Sequence, residues 1–246
     1  HNNMFGQGSF INTTNSTLGN VNFPTANNGV GLFQLNGNLN NTAGGAATMF
    51  TGTAAYSSTA KFGSESMNFT GSSSIDTGIS ATNSFTISYW IYKNASTYMY
   101  SYGTCNAPIS NGYLLGNYSS GSNGKFDFSA RNTSFPSSNI CRTQGGTTVT
   151  GQWYNVIVTH SGTGTVGAYG TNTLYVNGSL VTNTLIGEPY TTGNPVTGTP
   201  VNTENHIFGS AGAYISAELF NGYMDQIRIY NTDLNLTQVG QLQNET

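Results

Sequence analysis

Hydrophobic and polar residues alternate in short runs along most of this chain. From Ser84 to Lys93, Phe85, Ile87, Tyr89 and Ile91 fall on one side of an extended strand, and Thr86, Ser88, Trp90 and Tyr92 on the other. One face is wholly apolar and the other carries two aromatics, so both are expected to be covered. Comparable strand-like runs occupy residues 31–35, 113–116, 125–130, 153–160 and 173–176, and order restarts at 206–209. Turn signals separate them: Asn36-Gly37, Asn40-Asn41, Gly71, and above all Asn177-Gly178 between two alternating stretches. Residues 182–205, with Pro189, Pro195 and Pro200, are expected to be mostly loop. The last run, 223–230, follows a turn signal at Asn221-Gly222. Strict alternation puts Asp225, Ile227 and Ile229 on one face and Met224, Gln226, Arg228 and Tyr230 on the other. Asn231-Thr232-Asp233 then reads as a helix start, with Leu234, Leu236, Val239 and Leu242 along one helical face. Many short strands and one closing helix give an all-β protein, an antiparallel two-sheet jelly-roll sandwich with a short C-terminal helix. Residues 1–29 lack the pattern and are expected to be an extended N-terminal arm, with the domain at 30–246.

Composition narrows the function classes. Only 6% of residues are charged, against about 25% in an ordinary soluble domain. The net charge of −3 offers no basic stripe for nucleic acid, and no apolar run is long enough to span a bilayer. Richness in Asn, Ser, Thr, Gly and Tyr fits an extracellular protein or one on a cell or virion surface. It also fits an acidic medium, where a surface without ions keeps its hydration. Cys105 and Cys141 are expected to form one disulfide, with two separate buried thiols as the alternative. Acceptor patterns for N-glycosylation stand at Asn12, Asn15, Asn40, Asn68, Asn94, Asn117, Asn132, Asn177, Asn235 and Asn244.

Four segments, in order, carry a family resemblance: Ser84-Phe-Thr-Ile-Ser-Tyr-Trp90, Trp153-Tyr-Asn-Val-Ile-Val-Thr159, Leu174-Tyr-Val-Asn-Gly178, and the run from Phe220-Asn-Gly222 through Asp225 to Ile227-Arg-Ile-Tyr-Asn231. Together they resemble the laminin-G-like jelly rolls of the concanavalin A-like lectin/glucanase superfamily, over about residues 30–243. The resemblance supplies the strand order. It also implies a structural Ca²⁺ held by the Asp225 carboxylate and by backbone carbonyls near Gly71 and Asn36, in keeping with calcium's preference for oxygen ligands. Asn36–Asn38 depart from the pattern, because the family usually has acidic residues there.

Asp225 stands out on the residues alone. Alternation places its carboxylate beside isoleucines, where a charge needs a partner. Arg228 falls on the opposite face, and only 6 lysines and arginines exist in the chain. Backbone N–H groups, a proton or a metal remain. Tyr98, Tyr100, Tyr102, Tyr113 and Tyr118 form a tyrosine-rich insertion that could stack on sugar rings or simply pack. Glucanases of the superfamily resemble one another in a strand bearing Glu-x-Asp-x-x-Glu, and hydrolysis requires a pair of carboxyl groups. None of the nine acidic residues here lies within five positions of another. His160 and His206 stand apart from any cluster. The expected function is non-catalytic adhesion or recognition of glycan or a surface protein. A structural subunit of an outer layer, filament or virion, contacting its own copies through the arm, is the alternative. A glycoside hydrolase is disfavoured.

Overall fold

The computed structural model describes residues 29–82, 84–95, 99–104, 113–118, 125–131, 140–161, 171–181, 205–212 and 219–243. Among the described residues fifteen strands precede one helix. They are β1 (Gly29–Phe33), β2 (Thr48–Thr51), β3 (Tyr56–Ser57), β4 (Ser66–Thr70), β5 (Ser74–Ser80), β6 (Ser84–Lys93), β7 (Met99–Gly103), β8 (Tyr113–Tyr118), β9 (Lys125–Arg131), β10 (Ile140–Thr147), β11 (Trp153–Ser161), β12 (Thr171–Val176), β13 (Ser179–Leu180), β14 (Asn205–Phe208) and β15 (Asn221–Tyr230), then α1 (Leu236–Gln243). They form two antiparallel sheets. An eight-stranded sheet runs β13-β12-β11-β6-β15-β4-β3, with β1 also on β15, and a seven-stranded sheet runs β10-β9-β8-β7-β14-β5-β2. The jelly-roll sandwich with a short C-terminal helix expected from the pattern is the fold observed.

The apolar side of β6 faces inward, as alternation requires. Phe85, Ile87, Tyr89 and Ile91 join Val156 and Val158 of β11 and Met224, Ile227 and Ile229 of β15 in one core with Phe126, Phe128 and Phe208 of the facing sheet. Two of its tyrosine hydroxyls are paired within this layer. The Tyr89 hydroxyl lies 3.0 Å from Ser101 Oγ, and the Tyr102 hydroxyl 2.8 Å from His206 Nδ1. Both Tyr100 and Tyr102 are buried, so the structure gives them a packing role and not the sugar-stacking role considered for them. Tyr98 and Cys105 lie outside the described residues, as do the side chains of Tyr113, Tyr118 and Cys141. So does the arm up to Asn28.

Three sequence expectations are corrected at the C-terminal end. Asn221-Gly222 is not a turn: both residues begin β15, opposite Thr70 and Phe69 of β4. The helix starts later than Asp233. Asn235 caps it, with Gln238 N donating to Asn235 Oδ1 at 3.0 Å and Asn235 N donating to Gln238 Oε1 at 3.0 Å, a reciprocal box that satisfies two otherwise unpaired donors. Leu236 is 72% exposed, whereas Leu234, Val239 and Leu242 pack with Leu32, Ile157, Tyr175 and Tyr230 on the outer side of the eight-stranded sheet.

The third correction concerns the face of Asp225. Pairing with β6 passes from Asp225 opposite Trp90 to Arg228 opposite Ser88, with a break in register between them. One extra residue is accommodated there as a β-bulge, with Gln226 at φ 51°. The bulge resets the alternation. Met224, Ile227 and Ile229 all face the core, while Asp225 shares the outer side with Arg228 and Tyr230. Two adjacent polar residues, Asp225 and Gln226, conceal the slip in the sequence.

Candidate functional site

The outer side of the eight-stranded sheet is built in cross-strand rows, because directly opposed residues share a face. Tyr223, Tyr92 and Trp153 form one row. Their rings meet edge-on, Tyr92 lying 5.5 Å from Tyr223 and 5.5 Å from Trp153. The next row is Asp225, Trp90 and Asn155. The apolar residues under α1 continue beyond it. The outer side is thus covered twice, by α1 at one end and by the segment before β4 at the other.

That segment is held by Asp225. Its Oδ2 accepts backbone N–H bonds from Lys61 at 2.9 Å and Phe62 at 3.0 Å. Phe62 meets Trp90 edge-on at 5.6 Å, and Lys61 Nζ sits 4.4 Å from the Trp90 ring centre, within reach of cation–π attraction. Burial raises the Asp225 pKa to about 7, opposed by the N–H groups of Phe62, Lys61 and Gln226 and by the Arg228 charge. Arg228 therefore acts on the carboxylate from the same face, contrary to strict alternation.

Two backbone N–H groups hold one oxygen of this carboxylate, Oδ2, and its Oδ1 has no hydrogen-bond partner in the protein. At the first of the two turns expected to donate carbonyls, the Asn36 carbonyl accepts from Asn38 Nδ2 at 3.1 Å. Gly71 N donates to Phe220 O at 3.0 Å. Asn36 Oδ1 accepts from Ser64 Oγ at 3.0 Å and from Glu65 N at 2.9 Å. Among the described residues no three His, Cys, Asp or Glu side chains form a metal cluster. Asp76 accepts from Gly78 N at 2.8 Å and Asn205 Nδ2 at 3.0 Å.

Between Trp90 and α1 the sheet leaves an open groove of about 530 Å³, inside the range of about 300–1,000 Å³ typical of small-ligand clefts. Trp90 and Asn155 of one row and Trp153 of the other line it. The Asn177-Gly178-Ser179 turn forms one rim, and Gln243 at the end of α1 forms another. Both tryptophans are half-buried. Asn155 is 3% exposed, and neither atom of its amide has a hydrogen-bond partner in the protein. The same holds for Trp90 Nε1 and Gln243 Nε2. These four atoms are buried beneath the groove and have almost no accessible surface of their own. Among the described residues none that lines it carries a carboxylate or an imidazole. His160 and His206 lie in the interior, His160 against Phe85 at 5.1 Å and His206 against Phe85 at 4.9 Å.

Sequence reasoning missed this groove. In the sequence Trp90 and Asn155 stand only as parts of fold motifs, and Asn177 as a hairpin turn and a glycosylation acceptor. The available signals were a tryptophan on the polar side of β6 and an asparagine inside the apolar run of β11. Of the glycosylation positions, Asn40, Asn94, Asn177 and Asn235 are exposed and Asn68 is half-buried, while Asn12, Asn15, Asn132, Asn244 and the side chain of Asn117 lie outside the description.

A family model described as the Concanavalin A-like lectin/glucanases superfamily matches residues 66–240, well over half of the chain. No curated protein matches in sequence. Solved structures share the architecture. Domain 4 of AbnA, an extracellular arabinanase from Geobacillus stearothermophilus, superposes with TM-score 0.61 at 21% identity, covering 88% of this chain and 98% of that domain. The binding domain of Paraclostridial Mosquitocidal Protein 1 gives 0.59 at 17% identity, over 89% of this chain and 52% of that one. The Botulinum neurotoxin serotype D binding domain gives 0.58 at 13% identity, over 91% and 52%. At these identities the likeness shows the fold, and the chain spans about half of each toxin domain.

Proposed function

The chain belongs to the concanavalin A-like lectin/glucanases superfamily, and from that premise we propose that it is a non-catalytic recognition module of an extracellular or outer surface, binding glycan in the groove between Trp90 and α1. The observation that carries the reading is the groove itself, lined by two half-buried indoles. Indole faces offer apolar contact to the C–H faces of a sugar. Glycoside hydrolysis needs two carboxyl groups flanking the bond, and no described residue lining the groove supplies one. Domain 4 of the arabinanase was solved with arabinotriose, and the toxin structures are of binding domains. Those properties are theirs, and they put a saccharide first among the ligands to try here. In the described residues no helix is long and apolar enough to cross a membrane.

The test is a saccharide panel against the isolated chain, read by indole fluorescence and calorimetry. Binding without release of products is expected. Trp153→Ala and Trp90→Ala should each weaken it at least about tenfold, equivalent to 1.4 kcal/mol. Binding that survives both substitutions would move the site elsewhere, and release of sugar fragments would make the protein an enzyme.

A second proposal concerns the expected arm, residues 1–29, whose last residue, Gly29, opens β1. Contact of this arm with another copy, or with a flanking domain, would place the module in an assembly. Removing the arm should leave the sandwich folded and lower self-association. An unchanged oligomeric state in sedimentation would end the idea.

A further inference from the structure

We infer that the glycan site continues out of the groove along the aromatic row Trp153, Tyr92 and Tyr223, and that its ligand is a single linear oligosaccharide lying across the strands. This rests on the glycan reading above and adds the length and shape of the ligand and the residues that read them.

Trp153 belongs to both surfaces. It lines the groove, and it stands opposite Tyr92 of β6, which in turn stands opposite Tyr223 of β15. Asn68 of β4 is paired with Tyr223 and carries the row one strand further. The path therefore crosses β4, β15, β6 and β11 and ends at the Asn177-Gly178-Ser179 turn on the groove rim. The three rings and Asn68 are each half-buried, so part of every one faces solvent. Trp90, held by Lys61 Nζ at 4.4 Å and by Phe62 edge-on, walls the groove, and Trp153 joins the groove to the row. Contiguous aromatic surface left open on a sheet face marks an interaction site.

The spacing of the row fixes the kind of ligand. Neighbouring strands lie about 4.7–4.9 Å apart, and the ring centres follow that step, 5.5 Å from Tyr223 to Tyr92 and 5.5 Å from Tyr92 to Trp153. This is close to the advance from one sugar ring to the next in an extended chain, so successive sugars each meet an aromatic ring. The rings are not coplanar. Tyr92 is inclined 62° to Tyr223 and 61° to Trp153. Its hydroxyl lies 3.7 Å from where a β-carbon on Gly151 would stand, beside an exposed turn tied to β6 by Gly151 N donating to Lys93 O at 3.0 Å. Sugars of an extended chain are likewise turned against their neighbours, whereas the flat face of a packed polysaccharide needs coplanar rings. A proline-rich peptide also docks on aromatic surfaces, but its helix repeats a face only every third residue, about 9 Å, and would meet alternate rings of this row.

The experiment uses the chain made in a host that does not glycosylate, because Asn68 and Asn177, at the two ends of the path, head acceptor patterns. Arabinan, xylan, glucan and mannan oligosaccharides, from disaccharide to hexasaccharide, are titrated by calorimetry, with a proline-rich peptide as a separate arm. In the series bound best, affinity is expected to rise at least about tenfold from disaccharide to hexasaccharide. Tyr223→Ala should lower hexasaccharide affinity about tenfold and leave the disaccharide, held in the groove, within about twofold. Tyr223→Phe should keep most of the affinity, because the ring makes the contact. Trp153→Ala should weaken both lengths. Melting temperatures confirm that each variant is folded, and the length series of the wild type needs no variant. An affinity independent of length, or a Tyr223→Ala that weakens both lengths alike, would overturn the extended row, while loss of disaccharide binding in Trp153→Ala would keep the groove as the glycan site. Tighter binding of the proline-rich peptide, lost in Tyr223→Ala, would make the row a peptide surface and overturn this inference. No saccharide binding at any length would overturn both this inference and the glycan reading.

Discussion

Gly222→Ala is expected to destabilise the protein by about 3 kcal/mol or more, at or above the upper end of ordinary overpacking. Gly222 sits near the start of β15 with β4 on one side and β6 on the other, opposite Phe69 and Lys93. A β-carbon there would run into the Tyr92 carbonyl oxygen, and would also stand 2.8 Å from the Phe220 ring and 3.1 Å from Lys93 Cα. The Phe220 ring can turn, but the backbone of β6 cannot yield without parting the two central strands. For a domain of this size the loss corresponds to roughly 6–12 °C of melting temperature. Gly240→Ala is the control. It lies in α1 with nothing within 4 Å of the new carbon, so helix propensity should stabilise it by up to about 1 kcal/mol. Equal melting temperatures for the two variants would show that the Gly222 contact is not what closes the sheet.

The second large effect is on pH. Asp225 holds its proton to about pH 7 in the folded chain, against a model-compound value of 3.8, because burial outweighs its hydrogen bonds. A carboxyl with a raised folded pKa contributes stability that is fully present below the unfolded value and is lost as pH rises through the folded one. His206 works in the opposite direction. Burial, aided by His160, lowers it from 6.5 to about 3, so its contribution is present above 6.5 and is lost as pH falls towards 3. Each pH unit in these windows is worth at most about 1.4 kcal/mol per group. Between about pH 6.5 and 4 the two terms offset each other. Asp225→Asn keeps an oxygen for the Lys61 and Phe62 N–H groups and removes one term. Relative to this variant, wild type should gain a few kcal/mol between pH 8 and 4.5 in denaturant unfolding, while the variant alone becomes acid-labile. Parallel pH curves for the two proteins would refute the assignment. The proposed calcium is tested on the same pair: a melting temperature raised by millimolar Ca²⁺, with the rise lost in Asp225→Asn, would place the metal at the unpartnered Oδ1, and a wild-type melting temperature indifferent to Ca²⁺ and EDTA would rule it out.

The alternation in β6, β11 and β15 determined the sandwich from the sequence alone. Short strands buried on one face write their geometry directly into residue order, and the Asn177-Gly178 hairpin turn was equally local. So was the presence of a closing helix, although its start required the Asn235–Gln238 box. β10 escaped notice because Ile140–Thr147 has almost no large apolar side chains to reveal a period. What only the tertiary structure decided is where register matters. A bulge at Gln226 turns Asp225 to the other face, and no count of alternating residues detects an extra residue between two polar ones. The groove is non-local for the same reason. Trp90, Asn155 and Gln243 lie far apart in the chain and converge through strand pairing and the docking of α1, so their unpaired atoms have no signature in sequence. Tyr102 makes the converse point: the sequence left sugar stacking and packing both open for it, and burial between the sheets made it core.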